Sequence, residues 1–352
     1  MNAMTMGLNL PATRGRQGGR TMYQLTVPNA VLNNFFTVNM DPPSEKSQRE
    51  LDPRHAAGIA EYLVENIEGY VLGALIYAVD QECEFASSDL HPDLGVLTIP
   101  FGTNLRSLDG QHRRKGLNDA IAAEEALASD STSVVIYVEP DVVNRRQMFS
   151  DMNSTPRKVS KALNVAFDHR DPFARVAIRL ANEHPLLQNR IEMERPSVAP
   201  SSDAWFTLGA VHDALKRTYV GTGGRVKNPS SFAEVDIEDR GNALLELLGR
   251  IPQIESVANG SLSISEARSS SIVFSSTTLR AIAGAYFLFA KARGGSSNHW
   301  GVFGERIGAI DFSTLNPEWT RIGFLSTGKS TPNARLQEVR RAAEYLAGAF
   351  EA

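Results

Sequence analysis

A change of rhythm near residue 170 constrains this chain more than any other feature. Up to that point, short β-prone runs alternate with segments of helical period; beyond it, the helical period continues almost alone. TMYQLTVPNAVLNNFFTVNM (21–40) is rich in β-branched and aromatic residues and predicts one or two strands. LDPRHAAGIAEYLVENIEG (51–69) predicts a helix: Asp52 as N-cap, Pro53 at the first helical position, Ile59, Leu63 and Ile67 at helical spacing, and Gly69 to end it. YVLGALIYAVD (70–80), VLTIP (96–100) and SVVIYVEP (133–140) read as strands, and 86–95 as a loop. A helical pattern runs from Gln111 to about Ala128. DVVNRRQMFSDMN (141–153) predicts a helix capped by Asp141, and STPRKVSKALNVAF (154–167) another capped by Ser154 or Thr155. Such alternation predicts a compact α/β domain over 21–170. Helical segments at 173–183, 202–220, 236–254, 277–294 and 334–350 predict a mostly helical domain over 171–352. The first twenty residues, with Arg14, Arg16 and Arg20, are expected to form a flexible basic arm.

A chain of 352 residues supports about two domains. With 42% hydrophobic and 22% charged residues, it has the composition of an ordinary globular protein. Its formal net charge is −4, so contact with nucleic acid must rest on local basic clusters. The single cysteine, Cys83, excludes an internal disulfide and a cysteine zinc site and fits the cytoplasm. Its neighbours Glu82 and Glu84 are expected to raise its pKa and make it a poor thiolate. No apolar run approaches the roughly 20 residues of a membrane span, and no secretory leader is expected. The seven histidines form no HxxxH or HExxH pair, so no metal site is expected.

SLDGQHRRKGLNDAI (107–121) carries the chemistry. A helix start presents unsatisfied N–H groups and partial positive charge. Acids are favoured there, yet this first turn holds His112, Arg113, Arg114 and Lys115. Loading a positive end with cations is unfavourable unless an anion binds, and phosphate is the natural anion. The plainer alternative is a helix capped by Asp109 with solvated cations. DMNSTPRKVSK repeats the theme, and Arg145 and Arg146 precede it. The predicted phosphate- or DNA-binding set is Gly110, Gln111, His112, Arg113, Arg114, Lys115, Arg145, Arg146, Asn153, Thr155, Arg157 and Lys158. Were the site catalytic, Asp109 and His112 would be the candidates, with Asp141 or Asp151 as a second acid.

Three rival motifs carry less. GFLSTGKS (323–330) matches the phosphate-loop pattern, but Pro332 follows at once and the remainder reads as one helix. GTGGRVKNPSS (221–231) is a glycine-rich basic loop. Residues 263–286 admit a helix-turn-helix, with Ser276 as N-cap and Arg280 near the start of the second helix.

SLDGQHRRKGL resembles the DGQHR signature of the DndB family of DNA sulfur modification proteins, with Asp109-Gly110-Gln111-His112-Arg113 matching without a gap. The helix LDPRHAAGIAEYL, the strand VVIYV and the segment MFSDMNSTPRKVSKAL fit the same pattern, so the resemblance spans roughly 45–170. It implies a ParB/sulfiredoxin-like fold in which this strand–loop–helix holds nucleotide phosphates. It also implies a DNA-binding transcriptional repressor of a DNA phosphorothioation cluster in bacterial defence. The partners implied are double-stranded DNA and other sulfur modification proteins, and a homo-oligomer is expected. Sulfiredoxin places cysteine where this chain has Gln111, so sulfinic acid reduction is not implied. The alternative function is a ParB-like nucleotide hydrolase or nuclease, with ATP or CTP and magnesium as cofactors.

Overall fold

A computed structural model describes residues 6–36, 51–154, 159–294 and 299–348. The chain divides into two compact units, Met1–Arg157 and Lys158–Ala352.

The first unit is built on a seven-stranded sheet. Its elements are β1 (Gly7–Gln17), β2 (Arg20–Pro28), α1 (Asn29–Phe35), α2 (Pro53–Glu65), β3 (Leu75–Val79), β4 (Glu84–Ser87), β5 (Leu94–Pro100), β6 (Arg106–Asp109), α3 (Gln111–Ala123), β7 (Ser131–Val138) and α4 (Val142–Ser154). The strand order is β4-β5-β1-β2-β7-β3-β6. Every neighbouring pair is antiparallel except β3 with β7. The α/β class expected from the alternation is therefore observed, on a mostly antiparallel sheet.

The expected flexible arm is instead a central strand. Gly18 and Gly19 take positive φ of 56° and 79°, and Gln17 pairs directly with Arg20. This is the two-residue hairpin loop that two successive glycines favour. Leu10 and Ala12 enter the core, and Arg14 donates to the Pro92 carbonyl while its guanidinium lies over the Phe85 ring. Arg20 bonds the Glu139 carboxylate. The strand reading of 21–40 also ends early. Pro28 closes β2, and Asn29 starts a helix, its buried amide donating to the Leu127 carbonyl at 2.8 Å and accepting from Thr132 at 2.7 Å. Residues 37–40 lie outside the described residues.

One hydrophobic cluster joins the strands to α1, with Leu25, Val27, Leu32, Phe36, Leu75, Tyr77, Leu97 and Ile136 at its centre. A separate cluster of Ala78, Leu108, Tyr137 and Met148 ties α4 to the sheet. A third, of Leu63, Leu117, Ala120 and Leu127, joins α2 to α3. Asp52 caps α2 by accepting from Arg54 N–H at 2.9 Å, as its position predicts. The helix expected over 111–128 ends at Ala123 and continues as a 3₁₀ turn, Glu125–Ser129.

The second unit contains α5 (Lys161–Phe167), α6 (Pro172–Glu183), β8 (Ile191–Glu192), β9 (Phe206–Thr207), α7 (Leu208–Val220), α8 (Glu234–Gly249), α9 (Pro252–Ala258), α10 (Ile264–Ser270), α11 (Ser276–Ala292), α12 (Trp300–Gly308), α13 (Pro317–Arg321) and α14 (Leu336–Ala347). The boundary falls before α5 rather than near 170, because Ala162 and Val165 belong to this unit's core. Ser160 caps α5, accepting from Leu163 N–H at 3.0 Å. Ser154, expected as a cap, is instead the last residue of α4, and the other expected cap, Thr155, lies outside the described residues.

The helix-turn-helix reading does not hold. Thr278, Leu279, Ala281, Ile282, Ala285 and Phe289 bury α11 in the core, Arg280 donates to the Thr222 carbonyl, and Ser275 is the cap. Residues 322–335 form neither strand nor helix, so GFLSTGKS lacks the strand–loop–helix setting of a phosphate loop. No helix among the described residues is long and apolar enough to cross a membrane.

Gly116 sets the spacing of α2 and α3. A Cβ there would lie 2.7 Å from Ile59 Cβ and 2.8 Å from the Ala56 carbonyl oxygen. Alanine gains up to about 1 kcal/mol in an exposed helix interior, whereas overpacking costs about 1–3 kcal/mol. We expect Gly116→Ala to be net destabilising in urea unfolding; an unchanged or raised midpoint would refute the close approach.

Candidate phosphate-binding site

The site is a junction between strand and helix. β6 ends at Asp109, and Gly110 turns the chain into α3 at φ 97°, ψ 10°, a left-handed conformation that glycine adopts without strain. A Cβ at Gly110 would also approach Leu75 Cδ2 to 2.6 Å. No side chain caps α3 and no acid lies in its first turn. The partial positive charge of this helix start is therefore not offset by a carboxylate of its own first turn.

Asp109 does not cap this helix. One carboxylate oxygen accepts from Gly110 N–H at 2.8 Å, and the other bonds the Arg113 guanidinium. That pair is partly exposed, so it fixes direction more than it adds stability. His112 is held from the opposite side. Its Nε2 accepts from Asp52 N–H at 2.9 Å, and its ring stacks on His55 with centroids 4.8 Å apart. Acceptance at Nε2 places the proton of the neutral ring on Nδ1. Burial, then the neighbouring His55, pushes the His112 pKa below the usual imidazole value, against the opposing pull of Asp52 and Asp109.

These groups face a cleft of about 370 Å³, lined by His55 and Ile59 of α2, Ser107 to Asp109 of β6, Gly110 to Arg113 at the helix start, and Phe149 and Asn153 of α4. A mixed apolar and polar cleft with convergent donors has the character of a ligand site.

The family model described as DndB, DNA-sulfur modification-associated, matches residues 10–351. The chain belongs to the DndB family. No curated protein and no solved structure matches it. The DndB match reaches well past the 45–170 span of the sequence resemblance and takes in the helical half.

Of the residues expected at the site, Gly110, Gln111, His112, Arg113 and Asn153 meet in the cleft. Others do not. Arg145 is 4% exposed and donates to Asp80 at 3.0 Å and to the Glu139 and Pro140 carbonyls at 2.9 and 2.7 Å, so it braces the β7–α4 connection. Arg114 is 8% exposed and does not line the cleft; burial lowers its pKa, which the nearby Tyr77 opposes. Lys115 pairs with Asp119 one turn on, an ordinary helix-surface arrangement. Arg146 is exposed on α4, away from the cleft lining. Thr155, Arg157 and Lys158 lie outside the described residues.

The expected second acid is not brought to Asp109. Asp141 caps α4 through Val143 N–H at 2.8 Å, and Asp151 accepts from Gln147 at 2.7 Å. Among the described residues, no group of three or more His, Cys, Asp or Glu side chains could hold a metal ion. The Cys83 thiol is pushed up by burial, not by Glu82 and Glu84 as the sequence suggested. Sequence reasoning missed His55 and Phe149. His55 and Ile59 stand four residues apart on one face of α2, a spacing that places both at the same wall.

The depressed His112 pKa gives a signed expectation. Its contribution to stability is complete above the unfolded imidazole value and is lost as pH falls through the lower folded value. In a histidine NMR titration we expect His112 to titrate below an unperturbed imidazole, and upward on adding inorganic phosphate. His55→Phe, which keeps a ring but removes a neighbouring charge, should raise it in the free protein. A normal or elevated value without phosphate would contradict this geometry.

Proposed function

We propose that this DndB-family chain is a DNA-binding transcriptional repressor associated with a DNA phosphorothioate modification gene cluster, and that its cleft holds a phosphate. The observation that carries the reading is the uncapped start of α3, opening with Gly110 into a cleft where Asp109 aims Arg113 and α2 holds a neutral His112. Phosphate oxygens would accept from the helix-start N–H groups and from Arg113 through charge-assisted bonds. His112 would strengthen the contact on protonation. The β6–Gly110–α3 connection is what supports a ParB/sulfiredoxin-like reading of this unit.

The partner is double-stranded DNA, with other sulfur modification proteins as further partners. A repressor that reads a palindromic operator would act as a homo-oligomer. The phosphate could also belong to ATP or CTP. The second function, a ParB-like nucleotide hydrolase or nuclease, is less well supported because both oxygens of Asp109 are engaged and neither Asp141 nor Asp151 lines the cleft.

The test is duplex binding across a salt series. Arg113→Ala should weaken binding and reduce the salt slope by about 1. Lys115→Ala, whose partner is Asp119, should change affinity far less. Equal binding by wild type and Arg113→Ala at every salt concentration would remove the cleft from DNA contact. ATP or CTP turnover lost in both Arg113→Ala and Asp109→Ala would establish the hydrolase instead.

A further inference from the structure

The second unit holds a polar cavity of its own, about 220 Å³, with Thr207, Gly209, Asp213, Ser276, Thr277, Lys161 and Arg280 in its lining. At about 30 Å³ of liquid volume per water, it is too large for a packing flaw and roomy enough for a phosphate group with part of its ester.

Its charge does not balance. Asp213 faces Arg217 at 2.9 Å, Lys161 at 3.4 Å and Arg280 at 3.7 Å. One carboxylate among three cations leaves two positive charges over. Their attraction holds the Asp213 carboxyl below its usual pKa range even though burial opposes it, so it stays ionised and the surplus persists. Arg217 bonds Asp213 through Nε and Nη2 and donates from Nη1 to the Gly221 and Gly224 carbonyls at 3.3 and 2.6 Å. Arg280 donates to the Thr222 carbonyl at 2.7 Å, but its Nε is buried with no hydrogen-bond partner, since Asp213 lies too far away. A buried charged donor left unmade is costly, and a ligand oxygen would relieve it. Lys161 is more than half exposed at the same cavity. Two long helices begin at this lining, α7 and α11, and neither has an acid in its first turn. They add partial positive charge to the cation surplus.

We propose that this cavity is a second anion site, built to take the phosphate group of a nucleotide or of a nucleic acid backbone. It shares no residue with the DGQHR cleft and does not depend on that cleft's function.

The test uses the full chain with inorganic pyrophosphate as probe, by calorimetry, in an Arg113→Ala background that disables the first cleft. Lys161→Ala removes the exposed ammonium. Ser276→Glu puts a carboxylate at the first position of α11, where the helix dipole favours it, so the fold is kept while the cation surplus is halved and an anion is set in the lining. Unfolding midpoints near that of the parent confirm intact folding. We expect Arg113→Ala to bind pyrophosphate, with affinity on the order of tenfold weaker in Lys161→Ala, as loss of a charged hydrogen bond predicts, and abolished in Ser276→Glu. No binding in the Arg113→Ala background, or equal binding in all three proteins, would overturn the proposal and leave the cations as anchors for Asp213 and the 221–224 loop. A duplex salt series names the source: a slope reduced by about 1 in Lys161→Ala points to backbone phosphate, while an unchanged slope with pyrophosphate and ATP binding lost points to a free nucleotide. Because the cleft is already disabled, failure of the repressor reading and failure of this site are separate results.

Discussion

The tie between Asp109, Gly110 and Arg113 is the contact on which the first site depends. A carboxylate at the end of β6 accepts from the backbone N–H that opens the left-handed turn and grips the guanidinium one helical turn later. The acid therefore sits beside the positive end of α3 without capping it. Had Asp109 folded over the first turn as an N-cap, the helix N–H groups would be satisfied internally and Arg113 would be released to solvent. The left-handed Gly110 makes the difference, since a side chain there would meet both strain and Leu75.

α2 and α4 complete the site by packing rather than by charge. α2 is fixed to α3 through Leu63, Leu117 and the missing side chain of Gly116, and that contact brings Asp52 N–H and the His55 ring onto His112. α4 is fixed to the sheet by Met148 and braced by Arg145, which leaves Phe149 and Asn153 facing the cleft. An imidazole whose pKa burial holds down, beside the arginine that Asp109 aims, can respond to an arriving anion by taking up a proton.

Much of this was legible in the sequence. The capped α2, the strands β3, β5 and β7, the helix after DGQHR and the Asp141 cap follow from local propensity and turn chemistry, which short-range forces decide. What could not be read was the direction of each cation. Arg113, Arg114 and Lys115 are equivalent as letters, yet the helical turn sends one to the cleft, one inward and one to Asp119. For Arg145 a signal existed: it stands three residues from both Val142 and Met148, on the apolar stripe of α4, where a cation must find buried acceptors. The opening residues were misread for a different reason. Their arginines suggested a solvated tail, whereas the glycine pair at 18–19 is a strong hairpin signal and Leu10 and Ala12 alternate as a strand should.

That hairpin has a consequence for how the chain comes to order. β1 lies inside the sheet, bonded on one side to its hairpin partner and on the other to β5, some eighty residues further along, and β2 must wait for β7. During synthesis, therefore, β1 and β2 emerge well before β5 and β7 and cannot complete their pairings until those strands have followed. Sheets assembled from such distant pairings form slowly and expose unpaired edges in the meantime. Removing β1 would open two edges of the sheet at once, one on β2 and one on β5.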